Sequence, residues 1–199
     1  MNKKGYDKMS KISLQPTNDF CPQTLFLYGT YDEDGTPNFG LFCWASYIWD
    51  TELGFMTCIE GEKLTKDRIR ATGVFSANLV TEKLLTLADY LGNTGGRNGG
   101  KKGLDIKSEQ GRVLNVPILS ESPVSFELEV SKTIETEDGT VFLCRIKNVL
   151  QEDFLSDDSV PLPERIRNAA PIRTTCETYF SYDGNALGAW GEPQKLFSK

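Results

Sequence analysis

Val124–Ile134 (VSFELEVSKTI) and Thr140–Leu150 (TVFLCRIKNVL), joined through Glu137-Asp138-Gly139, decide the fold class. Both segments alternate apolar and polar residues and are rich in β-branched and aromatic side chains, as half-buried strands are. The Asp-Gly pair between them is a turn signal, so the two segments predict a long β-hairpin. Upstream, Thr24–Tyr31 (TLFLYGTY), Phe39–Ile48, Leu53–Glu60 and Gly73–Val80 (GVFSANLV) read as further strands. Asp34-Gly35 turns the first of these into the second. Two helices interrupt them. One runs around Lys66–Ala71 with Thr65 as its N-cap. The other spans Thr81–Leu91, where Leu84, Leu87, Ala88 and Leu91 share a face and Gly92 provides the stop. The acidic, proline-bearing stretch Gln151–Asn168 reads as a surface loop. Short strands with a few short helices predict a mainly β protein, a β-barrel with helical trimmings. No repeat or linker divides residues 1–199, so one domain is expected, with the barrel over about residues 20–191.

Composition narrows the chemistry. The 199 residues are 39% hydrophobic and 25% charged, as in an ordinary globular protein, and the net charge of -6 argues against a nucleic-acid partner. Cys21, Cys43, Cys58, Cys144 and Cys176 are scattered, which fits reduced thiols in a cytoplasm better than a disulfide framework or a zinc ribbon. Met1–Lys11 is basic without the apolar core of a signal peptide, and Leu41–Trp49 is too short to span a bilayer, so no membrane association is expected. There is no histidine, which removes Ser-His-Asp, Cys-His and His-metal chemistry. An enzyme built on this chain needs a cofactor to carry the reaction.

Three segments carry candidate chemistry. Gly92–Gly103 (GNTGGRNGGKKG) holds six glycines and the cations Arg97, Lys101 and Lys102, with no acid. It suits an anion approached by backbone amides, and equally a solvated surface loop. Gly95, Gly100 and Lys101 match part of a Walker A loop, but Lys102 stands where the Mg²⁺-binding hydroxyl belongs and the segment follows a helix, so a P-loop is rejected. Gly61–Arg68 (GEKLTKDR) places Lys63 and Thr65 at a helix start, suited to a phosphate or to ordinary capping. Asn38–Trp49 (NFGLFCWASYIW) is dense in aromatics, fit for core, for a subunit interface or for a flat heterocycle.

In this order and spacing the chain resembles the flavin reductase-like, FMN-binding split-barrel family, near its flavoredoxin type. Asp34-Gly35 with Asn38 resembles the family's D-G-x-x-N start. Thr65, Ile69, Thr72-Gly73 and Phe75 resemble T-x-x-x-I-x-x-T-G-x-F, and Asn78-Leu79 resembles V-N-[LI]-P with Val80 in place of proline. Gly92, Gly96-Arg97 and Lys101 resemble the loop C-G-x-x-S-G-R-D and its lysine, with Gly95 replacing the serine and Asn98 the aspartate. Tyr182-Asp183-Gly184-Asn185 with Leu187-Gly188 resembles the closing strand. The resemblance implies a split β-barrel and a homodimer holding FMN at its subunit interface. Lys63, Thr65, Gly96, Arg97 and Lys101 are then expected near the phosphate, and Asn78 with Leu79 near the ribityl chain. Phe42, Cys43 and Trp44 are expected along the ring, largely through main-chain contacts, with Cys43 where serine or threonine is frequent. The implied activity is an NAD(P)H-dependent flavin reductase serving free flavin or an electron-carrier protein. The alternative is a non-enzymatic FMN-binding electron carrier or flavin store.

Overall fold

The computed structural model describes residues 11–97, 99–190 and 192–193. Residues 1–10 of the basic N-terminal stretch, Asn98 of the glycine-rich segment and Gly191 at the expected barrel end lie outside the described residues.

The strands are β1 (Gln23–Thr24), β2 (Phe26–Tyr31), β3 (Pro37–Phe42), β4 (Ala45–Trp49), β5 (Leu53–Glu60), β6 (Val74–Leu79), β7 (Ser108–Gln110), β8 (Pro117–Leu119), β9 (Val124–Glu135), β10 (Gly139–Gln151), β11 (Ile172–Thr175) and β12 (Thr178–Ser181). The helices are α1 (Leu64–Thr72), α2 (Leu85–Asn93), α3 (Asp153–Ser156) and α4 (Leu162–Ala169), with a 3-10 turn at Glu82–Leu84 entering α2. Seven strands form one antiparallel sheet in the order β3-β2-β6-β9-β10-β5-β4. The expected hairpin is β9–β10, bent by register shifts at Leu143/Cys144 and Ile146/Asn148.

The strand order forces the barrel. β3 and β4 occupy opposite edges of the sheet, yet only Cys43 and Trp44 separate them in the chain. Two residues cannot cross the width of a flat seven-stranded sheet, so the sheet rolls until its edges meet. Cys43-Trp44 bridges the seam of this split barrel.

Alternation along β2 supplies two cores. Phe26 and Tyr28 point inward with Phe55, Phe75, Leu128 and Phe142. Leu27, with Leu25 just before the strand, packs on the other side with Leu84, Ala88 and Leu91 around α2. The expected apolar face of the second helix is thus the one that covers the barrel.

Several expectations are corrected. Phe39–Ile48 is two strands, because β3 pairs with β2 and β4 with β5. Thr24–Tyr31 is interrupted at Leu25. The loop expected over Gln151–Asn168 holds α3 and α4. Pro161 caps α4 and Pro163 sits in its first turn, where no intrahelical N–H is needed. Thr65 lies inside α1, whose N-cap is Lys63 with no side-chain cap. Tyr182–Gly188 is not a strand; the chain pairs earlier, with β1, β11 and β12 forming a small separate sheet.

A seam groove as the candidate functional site

Where the two edges meet, α1, the end of β3 and the glycine-rich segment enclose a groove of about 340 Å³. Asn38, Gly40, Phe42, Lys63, Thr65, Gly96, Arg97 and Lys101 line it. Phe42 and Lys63 also line an adjoining hollow of about 210 Å³ with Cys43, Trp44, Cys58 and Glu60. The two hollows lie side by side across these shared walls and are treated together as a groove with chemically different ends.

The first end is built for an anion. No side chain caps α1, so the N–H groups of its first turn are left for another acceptor. Lys63 and Lys101 add positive charge. Lys101 is half-buried, its Nζ donating to the Phe39 carbonyl at 2.6 Å. Burial, reinforced by the Lys63 charge, holds its pKa down at about 8, with Asp32 opposing. The fit is close. A Cβ on Gly40 would come within 2.9 Å of the Phe42 ring and of Thr65 Oγ1, and one on Gly96 within 3.1 Å of Leu64 and 3.2 Å of Asn38 Oδ1. A side chain at Gly40 would have to displace these groups, and one at Gly96 would be tightly crowded. Thr65 is itself buried, and its Oγ1 accepts from Asn38 Nδ2 at 3.1 Å, so it fastens α1 to β3 rather than standing free. The donor set matches a phosphate monoester: uncapped amides, two lysines and glycine backbone.

Arg97 lines the groove with its guanidinium already paired to two carboxylates. Its guanidinium binds Glu62 at 2.7 Å and Asp67 at 2.5 Å, clasping the glycine-rich segment to α1 across the groove. These hydrogen bonds, to Asp67 and then Glu62, raise its pKa further. Glu62 and Asp67 were not among the expected site residues. GEKLTKDR contains both, but which of its charges would meet Arg97 depends on how the loop folds back.

The second end is aromatic. Phe42 stacks on the buried Tyr28, with ring centroids 4.7 Å apart at 14°. Trp44 is 44% exposed at the seam. Burial, helped by the Glu60 charge, pushes the Cys43 thiol up, so it is held as a neutral thiol.

Eight expected residues therefore meet in one groove: Phe42, Cys43, Trp44, Lys63, Thr65, Gly96, Arg97 and Lys101. Asn78 and Leu79 do not. Asn78 is fully buried, donating to the Leu27 carbonyl and Ser76 Oγ (each 2.9 Å) and accepting from the Leu119 N–H (3.0 Å) and Ser125 Oγ (2.8 Å). All four of its hydrogen-bonding positions are used within the barrel, so its side chain has none left for a ligand. Leu79 lines a separate apolar hollow with Phe26, Tyr47 and Phe126. No residue of 151–168 lines the groove. Among the described residues, no group of His, Cys, Asp and Glu is assembled to hold a metal ion, and no helix is long and apolar enough to cross a membrane.

Fold and site together define a split β-barrel with a groove at its seam that is lined by cations and glycines at one end and by aromatic residues at the other. The chain belongs to the flavin reductase like domain family, which residues 19–162 match. A protein of Aeropyrum pernix, described only as uncharacterized, is 33% identical over 147 residues; the match spans 73% of this chain and 56% of that relative. Flavoredoxin from Methanosarcina acetivorans superposes with a TM-score of 0.82 at 21% identity, over 94% of this chain and 99% of its own. Flavoredoxin of Desulfovibrio vulgaris (Miyazaki F) gives 0.81 at 25% identity, over 92% and 100%. An FMN-binding protein from Thermus thermophilus gives 0.73 at 20% identity, over 93% and 100%.

Proposed function

We propose that the chain binds FMN along the seam groove and works as an NAD(P)H-dependent flavin oxidoreductase, passing electrons to free flavin or to an electron-carrier protein. The observation that carries this reading is the adjacency of the two hollows: one lined by lysines and glycines shares Leu41, Phe42 and Lys63 with one lined by Cys43 and Trp44, within one family fold. Lys63, Lys101 and the first-turn amides of α1 hold the phosphate. Arg97 keeps the glycine-rich segment closed against α1. Phe42 and the Cys43-Trp44 main chain lie along the ring. When bound, the flavin supplies the hydride chemistry that a chain without histidine lacks.

The chain is proposed to act as a cytoplasmic homodimer with FMN at the subunit interface. In support, Trp44 at the groove is 44% exposed, and Tyr47 and Trp49 of the same segment leave further apolar surface uncovered. A second reading, an FMN carrier that takes electrons from a redox protein, draws on the full-length likeness to the Desulfovibrio flavoredoxin.

The test is the absorbance spectrum of the purified protein with added FMN, then anaerobic stopped-flow mixing with NADH and NADPH. A protein that takes up no FMN refutes the cofactor reading. Bound FMN that neither nucleotide reduces refutes the reductase and leaves the carrier.

A further inference from the structure

The seam dipeptide is held by a directional chain of hydrogen bonds that begins in the barrel interior. The Tyr28 hydroxyl donates to Thr57 Oγ1 at 2.8 Å, and Thr57 Oγ1 donates to the Trp44 carbonyl at 3.1 Å. Tyr28 and Thr57 are both fully buried. The Cys58 N–H also reaches the Trp44 carbonyl, at 2.9 Å. That carbonyl shares its peptide group with the Ala45 N–H, which donates to the Cys43 carbonyl at 2.9 Å. The Cys43 carbonyl in turn shares its peptide with the Trp44 N–H. Among the described residues, no acceptor meets that last N–H. Extending the β4–β5 register one step past Ala45↔Thr57 pairs Trp44 with Cys58. Only half of that pair is formed: Cys58 donates and Trp44 does not.

Each donor in such a chain polarises the next, because an N–H or O–H whose own acceptor group already receives a hydrogen bond becomes a stronger donor. The Trp44 N–H, on a half-exposed residue that lines the groove, is left available to an acceptor brought in by a ligand. We infer that Tyr28 and Thr57 are positioning residues: through the Trp44 and Cys43 carbonyls they orient and strengthen the Trp44 N–H as a hydrogen-bond donor to the ring of the bound flavin. This rests on the reading that FMN occupies the groove. The Tyr28 ring supports the same segment from its other side by stacking on Phe42, so one core residue governs both the aromatic wall and the amide donor.

A stronger donor at the ring favours the more electron-rich, reduced flavin. Tyr28→Phe keeps the ring and the stack but ends the chain at Thr57. Thr57→Val keeps shape and removes both links, and Thr57→Ser restores the hydroxyl. In the FMN-free protein, the Trp44 amide proton should move upfield in NMR spectra of Tyr28→Phe and Thr57→Val, and stay near the wild-type position in Thr57→Ser. In the FMN-loaded protein, the two deleting variants should favour oxidised over reduced FMN by about three- to tenfold more than wild type. That is a fall of about 15–30 mV in midpoint potential, at 29.6 mV per tenfold for a two-electron couple. An unmoved potential in variants that bind FMN overturns this inference alone, and so does a loss that Thr57→Ser fails to rescue. Absence of FMN uptake by wild type overturns the cofactor reading and this inference with it. Should Tyr28→Phe fail to fold, the Thr57→Val and Thr57→Ser pair carries the test.

Discussion

Lys101 places a cation where the fold disfavours it and a phosphate would welcome it, and the two effects predict opposite pH trends. Its pKa stands at about 8, against an ordinary lysine value of 10.5. At 1.36 kcal/mol per pH unit, the full displacement corresponds to about 3 kcal/mol. Lys101 is only half-buried, so solvent screening brings the realised cost to about 1–2 kcal/mol. The sign follows from proton binding. Between about pH 8 and 10.5 the unfolded chain keeps the Lys101 proton and the folded chain has released it, so stability rises with pH across that window. The FMN-free wild type should therefore gain about 1–2 kcal/mol relative to Lys101→Met between pH 8 and 10.5. For a chain of this length that is roughly 2–8 °C in melting temperature. FMN affinity should run the other way. A bound phosphate favours the charged amine, so wild-type affinity should fall as pH rises through about 8, and Lys101→Met should be weak and flat over the same range. Denaturation from pH 7 to 10.5 and fluorescence titration with FMN measure the two arms. Parallel stability curves for wild type and Lys101→Met would refute the buried-cation argument. Parallel affinity curves would remove Lys101 from the phosphate site.

Three further outcomes are expected. Arg97→Ala should weaken FMN by about three- to tenfold by releasing the glycine-rich segment from Glu62 and Asp67, and it should speed proteolysis of residues 94–103; unchanged affinity and cleavage would take the clasp out of the site. Cys43→Ser should retain FMN affinity and turnover, because burial keeps the thiol neutral and unreactive; loss of turnover with FMN still bound would give the sulfur a role. Asn78→Ala should cost about 3–5 kcal/mol in chemical denaturation, since it strands four buried partners, while the folded fraction binds FMN as wild type does; a selective loss of FMN affinity would return Asn78 to the cofactor.

The parts of the molecule that were legible in the sequence are those whose cause is local. The β9–β10 hairpin carries its own alternation and its own turn, and α2 carries its own apolar face. The glycine-rich segment and the aromatic run carry the chemistry of the two groove ends in their residue types. The break at Cys43-Trp44 has no such mark. NFGLFCWASYIW contains no turn residue at that point, and the chain divides there because β2 and β5, far apart in the sequence, claim its two halves.

Glu127 shows the same limit from another side. Its place in the alternation of Val124–Ile134 reads as solvent-facing, yet it is fully buried, accepting from the N–H groups of Arg112, Val113 and Leu114 and from Asn148. A carboxylate is polar in the pattern whether water or a loop supplies its donors, so periodicity cannot distinguish the two. Asn78 is ambiguous for the same reason: an amide suits a sugar chain and a strand junction equally, and its bonds to Leu27, Leu119 and Ser125 come only from the long-range pairing. The groove exists because the sheet closes on itself where β3 and β4, consecutive in the chain, part to its opposite edges. Its location is therefore a property of the strand order, and its chemistry a property of the segments brought there. Residue types suggest the second without fixing which charges pair, and only the long-range pairing supplies the first.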